Sequence, residues 1–143
     1  MTIKNPNKKS IWFSDEVLPM VGNPQTGYSA RVVGIVKAHN AIIKESMPTL
    51  AQEEWLLICD MLNGCVLDER SPHFLAADIA ECAAEDGLSS KWDTDGLMLA
   101  QRVDKMSTAE KFAIQEVAFR FWSETGIVSD YRQKLIDCGA KVS

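Results

Sequence analysis

Residues 107–124 read STAEKFAIQEVAFRFWSE, and this stretch decides the fold class. Ser107 is followed three positions later by Glu110, the capping-box pattern that opens a helix. Gly126 then supplies a stop signal. The apolar residues between these signals recur at helical spacing: Phe112, Val117, Ala118, Phe119, Phe121 and Trp122. The stretch therefore predicts the longest apolar helix of the chain, with these positions packed in a core.

The same start and stop signals recur along the chain outside this helix. Ser29, Thr49 with Gln52, Ser71-Pro72, Asp93 or Thr94, and Ser129 are candidate starts. They predict helices over about residues 29–46, 50–62 and 72–86, a shorter helix after Asp93 or Thr94, and a last helix that starts at Ser129 and is closed by Gly139. No alternating strand pattern and no internal repeat is visible in these segments. We expect an all-α protein, a compact bundle of five to six short helices with an irregular N-terminal arm.

The first 28 residues differ from the rest in composition. Three of the five prolines and the glycines Gly22 and Gly27 lie here, and this density breaks any long helix. Between them lie apolar clusters at residues 11–13, 17–18 and 20–21. We therefore predict a partly extended arm, residues 1–28, and a helical domain, residues 29–143. The arm is expected to pack either on the helical domain of its own chain or on a second subunit.

The bulk composition favours a cytoplasmic, soluble protein. The chain has 143 residues, of which 46% are hydrophobic and 24% charged, which is ordinary for one globular domain. No apolar run approaches the length of a membrane helix. The polar first ten residues have no apolar signal segment behind them. Without an export signal, the four cysteines at positions 59, 65, 82 and 138 are expected to be thiols.

The net charge of −5 is unevenly distributed. Residues 1–46 carry +3, residues 47–106 carry −8 and residues 107–143 carry 0. An acidic middle segment repels phosphate backbones and attracts a basic protein surface, although solvated outer helix faces would give the same count. The carboxylates expected to form a partner-binding surface are Glu53, Glu54, Asp78, Glu81, Glu85 and Asp86.

Exposed aromatic side chains in irregular segments are good interface anchors. Trp12 and Trp92 lie in or beside such segments, whereas Trp55 and Trp122 fall on apolar helix faces and are expected in the core. In the arm, the predicted anchors are Trp12, Phe13 and Leu18, although docking on its own domain would equally explain an apolar arm.

No catalytic or metal-binding signature is evident. Asp93-Thr94-Asp95-Gly96 has the wrong glycine position for a calcium loop and fits a helix cap. The two histidines and the cysteines lack zinc spacing, so we expect no metal and no cofactor. A cysteine-dependent enzyme, pairing Cys59 with His39 or Cys82 with His73, is the second alternative function.

The first alternative is a nucleic-acid-associated regulator of helix-turn-helix type. Its recognition helix would be residues 72–86 or 108–124, both acidic or neutral, whereas such helices usually present several Lys or Arg. Only Lys4, Lys8 and Lys9 of the arm could reach a phosphate. The leading hypothesis is therefore a non-enzymatic interaction or regulatory protein that binds a protein partner, or itself as a homodimer through the arm, and neither nucleic acid nor membrane.

Two segments carry a resemblance. Residues 49–64, TLAQEEWLLICDMLNG, resemble a segment of small uncharacterised bacterial all-helical proteins, and residues 107–122 are similar to their final helix. The resemblance covers roughly residues 30–125 and rests on caps and core positions. It implies a bacterial origin and a helical fold, and it supplies no active site.

Overall fold

The computed structural model describes residues 13–25, 27–63, 71–85, 87–122 and 128–143. The expected all-α class is confirmed. In these ranges eight α-helices and a single 3₁₀ turn, Pro72–Phe74, are found, with two strands of two residues each. The helices are α1 (Leu18–Val21), α2 (Tyr28–Ser46), α3 (Gln52–Leu62), α4 (Leu75–Glu85), α5 (Leu88–Lys91), α6 (Gly96–Asp104), α7 (Thr108–Trp122) and α8 (Tyr131–Asp137). The strands are β1 (Thr49–Leu50) and β2 (Lys141–Val142).

All six predicted helices are present, within a few residues of their expected bounds. The count of five to six was too low because α1 and α5 have only four residues each. A helix of four residues makes only about one turn, so it cannot show the repeated spacing of apolar residues by which helices are predicted from sequence. The arm was expected to be partly extended, and its first apolar cluster, residues 11–13, falls mostly outside the described residues.

Contacts divide the chain into two units, Met1–His39 and Asn40–Ser143, with the boundary inside α2. In the first unit, the Phe13 and Tyr28 rings lie 6.1 Å apart between centroids. Arg31 Nε donates to the carbonyl oxygen of Val21 at 3.1 Å, which ties the end of α1 to the first turn of α2.

The second unit has a continuous apolar core. Helix α3 is its centre, because Trp55, Leu57 and Ile58 are all fully buried. Helix α7 contributes Ile114 and Val117, which are equally inaccessible. Full burial of a large apolar side chain stabilises the folded state by about 1.5–3 kcal/mol, so α3, buried on several sides, contributes strongly to stability.

Trp55 was expected in the core and is there. Phe119 and Trp122 were also expected to be buried, and this is wrong: Phe119 is 50% exposed and Trp122 is 42% exposed. The reason is geometric. The apolar set predicted on α7 goes most of the way round the helix, and α7 buries the side that carries Ala113, Val117 and Phe121.

Two distant ends of the second unit are joined by a small parallel sheet. Thr49 in β1 pairs with Lys141 in β2, and Leu50 pairs with Val142. The Trp55 indole donates to the carbonyl oxygen of Lys141 at 3.0 Å, so the buried indole has the hydrogen-bond partner that its N–H requires. The pairing fixes the last residues beside the start of α3.

Helix caps follow local chemistry. Ser107 and Glu110 exchange two reciprocal hydrogen bonds, both 3.1 Å long, and Ser71 Oγ accepts from His73 N at 3.4 Å, as predicted. Three other caps lie one or two residues later than expected. Asp95 caps α6, Asp130 caps α8, and α3 starts after Ala51 because Thr49 is used in β1.

Candidate functional site

The predicted arm anchors are only partly within the described residues. Trp12 lies outside them. Phe13 is half-buried beside the ring of Tyr28, and Leu18 is 41% exposed. The neighbouring Val17 and Met20 are also exposed, at 40% and 70%. The first unit therefore presents apolar side chains to solvent, which is what an interface anchor requires.

The predicted acidic surface is also incomplete. Glu53, Glu81 and Glu85 are exposed and Asp78 is half-buried, whereas Asp86 lies outside the described residues. Asp78, Glu81 and Glu85 are all on α4, at spacings that bring them to neighbouring turns. Three carboxylates therefore lie on neighbouring turns of one helix.

Glu54 differs from the expectation of an exposed carboxylate. The residue is 9% exposed, and its carboxylate accepts from Arg102 at 2.6 and 3.2 Å. It also accepts from the backbone N–H of Ala51 at 2.9 Å. A charge in the interior requires such partners, so Glu54 joins the start of α3 to α6 and is not part of an open binding surface.

Helix α2 carries a second apolar surface that the sequence analysis did not single out. Of its 19 residues, only Ile43 is buried. Five large side chains are exposed by 37–56%: Tyr28, Val33, Ile35, Val36 and Ile42. A helix of a folded domain normally buries its apolar side, so α2 is an unusual helix in this protein. The apolar spacing of residues 32–43 was visible in the sequence, but spacing does not show whether another element covers that side of the helix.

A pocket in the second unit is the other candidate. Its volume is about 130 Å³. The lining residues are Leu56, Asp60, Lys91, Trp92, Phe121, Trp122 and Tyr131. They come from α3, the α5 end, α7 and α8, and four of the seven are aromatic.

The rings in this pocket support one another. Trp92 packs edge-on against Tyr131 at 5.9 Å, Phe121 packs edge-on against Trp122 at 5.0 Å, and Phe121 stacks on Tyr131 at 6.3 Å. The indole N–H of Trp122 donates to the carbonyl oxygen of Cys59. These contacts hold the rings in fixed orientations, because aromatic pairs favour such edge-on and offset geometries.

Asp60 is the anionic group of the pocket. One of its oxygens, Oδ2, accepts from Lys91 Nζ at 2.6 Å and from Trp92 Nε1 at 3.0 Å. Its side chain is 21% exposed, whereas that of Lys91 is 56% exposed. Trp92 was expected to be a candidate anchor, but Asp60, Lys91 and Tyr131 were missed because they are 31 or more positions apart and share no motif.

Two ammonium groups of the chain already lie near these rings. Lys91 Nζ is 5.3 Å from the centroid of the Trp92 ring, and Lys134 Nζ is 4.5 Å from that of Phe121. Both distances are within the range of cation–π attraction. The rings of Trp92 and Phe121 therefore already lie beside ammonium groups of the chain itself.

The alternative of a cysteine-dependent enzyme depends on whether Cys59 could act as a nucleophile. This thiol is 1% exposed. Burial raises its pKa, and the neighbouring Cys138 contributes in the same direction. A nucleophilic cysteine needs the opposite shift and access to substrate, so Cys59 lacks both properties at neutral pH.

Helix α4, which falls in one of the two candidate recognition helices, carries no Lys or Arg. Within the described ranges, His, Cys, Asp and Glu do not gather in any group of three or more that could hold a metal ion. Among the helices that the structure describes, none combines the length and the apolar character needed to cross a bilayer.

Compared with known proteins, the chain matches no family model, no curated protein and no solved structure.

Proposed function

We propose that the protein is a non-enzymatic, cytoplasmic interaction protein, and that its partner is a second copy of the same chain bound through α2. The observation that carries the proposal is the exposed apolar side of this 19-residue helix, on which Ile35 and Ile42 are 37% and 56% exposed. A contiguous exposed apolar patch on a folded protein usually marks an interaction site.

The spacing along α2 favours an identical helix as the partner. Tyr28, Val32, Ile35, His39 and Ile42 follow one another at intervals of four, three, four and three residues. This is the repeat of the a and d positions in a two-stranded coiled coil, in which each helix covers the same seam of its partner. A symmetric dimer requires such a self-complementary surface.

Charges beside this seam favour an antiparallel pair. Arg31 and Glu45 both occupy g positions, near opposite ends of α2. In antiparallel helices, g positions face g positions, so Arg31 lies opposite Glu45 of the second copy at both ends of the seam. The basic segment, residues 1–46, then approaches the start of the acidic segment, residues 47–106, of the other copy.

The arm and the acidic residues have supporting roles. Phe13 contacts Tyr28, the first residue of the seam, so Phe13 and the exposed Leu18 extend the apolar surface. Trp12, next to Phe13 in the chain, belongs to the same proposed anchor. The carboxylates of α4 and Glu53 steer the encounter and increase its rate rather than its affinity.

The test is the oligomeric state of two matched double variants. Ile35→Lys/Ile42→Lys places two charges in the seam, and Ala30→Lys/Ala41→Lys places the same charges on the opposite, exposed side of α2. Light scattering after gel filtration is expected to show a dimer for the natural chain and the alanine-site control, and a monomer for the seam variant. Circular dichroism at 222 nm checks that helix content is equal.

Two outcomes would refute the proposal. One is a natural chain that remains monomeric at about 100 μM, because a homodimer that functions in a cell needs a dissociation constant well below this concentration. The other is a seam variant that remains dimeric with unchanged helix content, because the contact would then lie elsewhere.

A further inference from the structure

The aromatic pocket of the second unit has features that the proposed self-association does not use. Its lining residues all lie between Leu56 and Tyr131, outside α2. It combines four aromatic side chains with one carboxylate. In addition, a lysine of the chain itself, Lys91, lies against both the carboxylate and the ring of Trp92.

We infer that this pocket binds a quaternary ammonium group, such as the trimethylammonium head of a small molecule, and that Lys91 is the intramolecular cation which the ligand displaces. The faces of tryptophan, tyrosine and phenylalanine rings attract cations, and quaternary ammonium ions are typical ligands of sites built from several rings. Asp60 supplies the countercharge.

The lining offers few hydrogen-bond acceptors to a cation. Among its side chains only the Asp60 carboxylate and the Tyr131 hydroxyl oxygen can accept, and Asp60 Oδ2 already accepts from Trp92 Nε1. An ammonium ion with three N–H donors must compete for these acceptors, as Lys91 does. A trimethylammonium group has no donors, and its methyl groups fill apolar space while it keeps the full charge.

The size of the pocket fits this group. A cavity of about 150 Å³ accommodates benzene, and the volume here is about 130 Å³. A quaternary head group of one nitrogen and four carbons is similar in size to benzene. The pocket can release its lysine because the Lys91 side chain is 56% exposed, so that its ammonium can be hydrated when the ligand enters.

The direct test compares two probes of the same shape. Choline carries the trimethylammonium group, and 3,3-dimethyl-1-butanol replaces the nitrogen with carbon and has no charge. Titration calorimetry and tryptophan fluorescence of the full chain are expected to show that choline binds about tenfold more tightly, the size of a cation–π and carboxylate contribution in a partly desolvated site. Acetylated trimethyllysine, titrated in parallel, distinguishes a modified side chain from a free small molecule as the source.

Three variants separate the roles of the residues. Asp60→Asn keeps an acceptor for the Trp92 indole but removes the charge, so choline affinity should fall several-fold. Lys91→Met removes the competing cation, so choline affinity should rise several-fold. Lys105→Met, an exposed lysine outside the pocket, is the matched control and should leave affinity unchanged.

The inference is overturned if the alcohol binds as tightly as choline, because the pocket would then be merely apolar. It is also overturned if neither trimethylammonium probe binds to the Lys91→Met variant at about 10 mM, or if that variant binds choline more weakly than the natural chain does. The α2 seam variant keeps the pocket intact, so failure of self-association and failure of choline binding are distinguishable.

Discussion

The close contact between α4 and α6 is predicted to depend on the absence of a side chain at Gly96. Gly96 is buried at the first position of α6. A Cβ placed there would overlap the Cβ of Ala83 on α4 and lie 2.8 Å from Ser89 Oγ. Because the Cβ of Ala83 is attached directly to the α4 backbone, it cannot move aside without moving the helix. Gly96→Ala must therefore separate the two helices.

The magnitude follows from three contributions. Overpacking of this kind costs about 1–3 kcal/mol. Ser89 Oγ accepts from the backbone N–H of Gly96 at 3.1 Å, and losing this bond costs about 1 kcal/mol. The lower entropy of alanine in the unfolded chain returns up to about 1 kcal/mol. The net expectation is a loss of about 1–3 kcal/mol in the free energy of unfolding.

The assay is urea denaturation followed by tryptophan fluorescence and circular dichroism. Gly34→Ala is the matched control, because a Cβ there meets nothing within 4 Å, and it should stabilise α2 by about 0.5–1 kcal/mol. Ala83→Gly added to Gly96→Ala should recover part of the loss, with a coupling energy of about 1 kcal/mol or more. A Gly96→Ala protein as stable as the natural one, or strictly additive effects of the two changes, would refute the reasoning.

Three other predictions concern buried polar groups and are also tested by urea denaturation. Glu54→Ala leaves the guanidinium of Arg102 without its carboxylate partner and should lower the free energy of unfolding by about 1–3 kcal/mol. Glu53→Ala, on the exposed side of α3, is the control and should change it by no more than about 0.5 kcal/mol. Equal effects of the two changes would contradict the pairing of Glu54 with Arg102. Gln115 is 3% exposed and its amide has no hydrogen-bond partner among the described residues. Gln115→Met should therefore stabilise the protein by about 1–2 kcal/mol. A loss of stability in this variant would show that the amide is hydrogen-bonded in the natural protein. Burial raises the pKa of Cys59, so the unfolded chain ionises first and stability should fall as pH rises above the ordinary thiol pKa of 9.0. Cys59→Ala should show a smaller decline between pH 8 and 10 than the natural chain, and an identical decline would exclude this cause.

Helix positions were largely readable from the sequence, because a helix start depends on residues only three or four apart. The reciprocal bonds of Ser107 and Glu110 join neighbouring turns and need no other part of the chain. The same local chemistry predicted a helix start at Ser71, where the structure begins with a 3₁₀ turn. Where a second element intervened, the local prediction shifted: Thr49 is used in β1, so α3 begins after Ala51 instead.

The burial of each helix face was not readable in the same way. Spacing shows which residues share a side of a helix, but not whether another element covers that side. Trp55 and Phe119 are both aromatic residues on apolar helices, yet Trp55 is fully buried and Phe119 is 50% exposed. Likewise α2 has as clear an apolar pattern as α3, and only α3 is enclosed.

By itself, then, the sequence determined the helical class, the six longer helices and most of their ends, since these depend on backbone preferences and contacts within a few residues. Only the tertiary structure decided which carboxylate is buried, as at Glu54, and which residues form the pocket. Asp60, Trp92 and Tyr131 are far apart in the chain and meet only because α3, the end of α5 and α8 pack together. Packing between distant segments depends on the shapes of all the surfaces at once, and no local pattern encodes it.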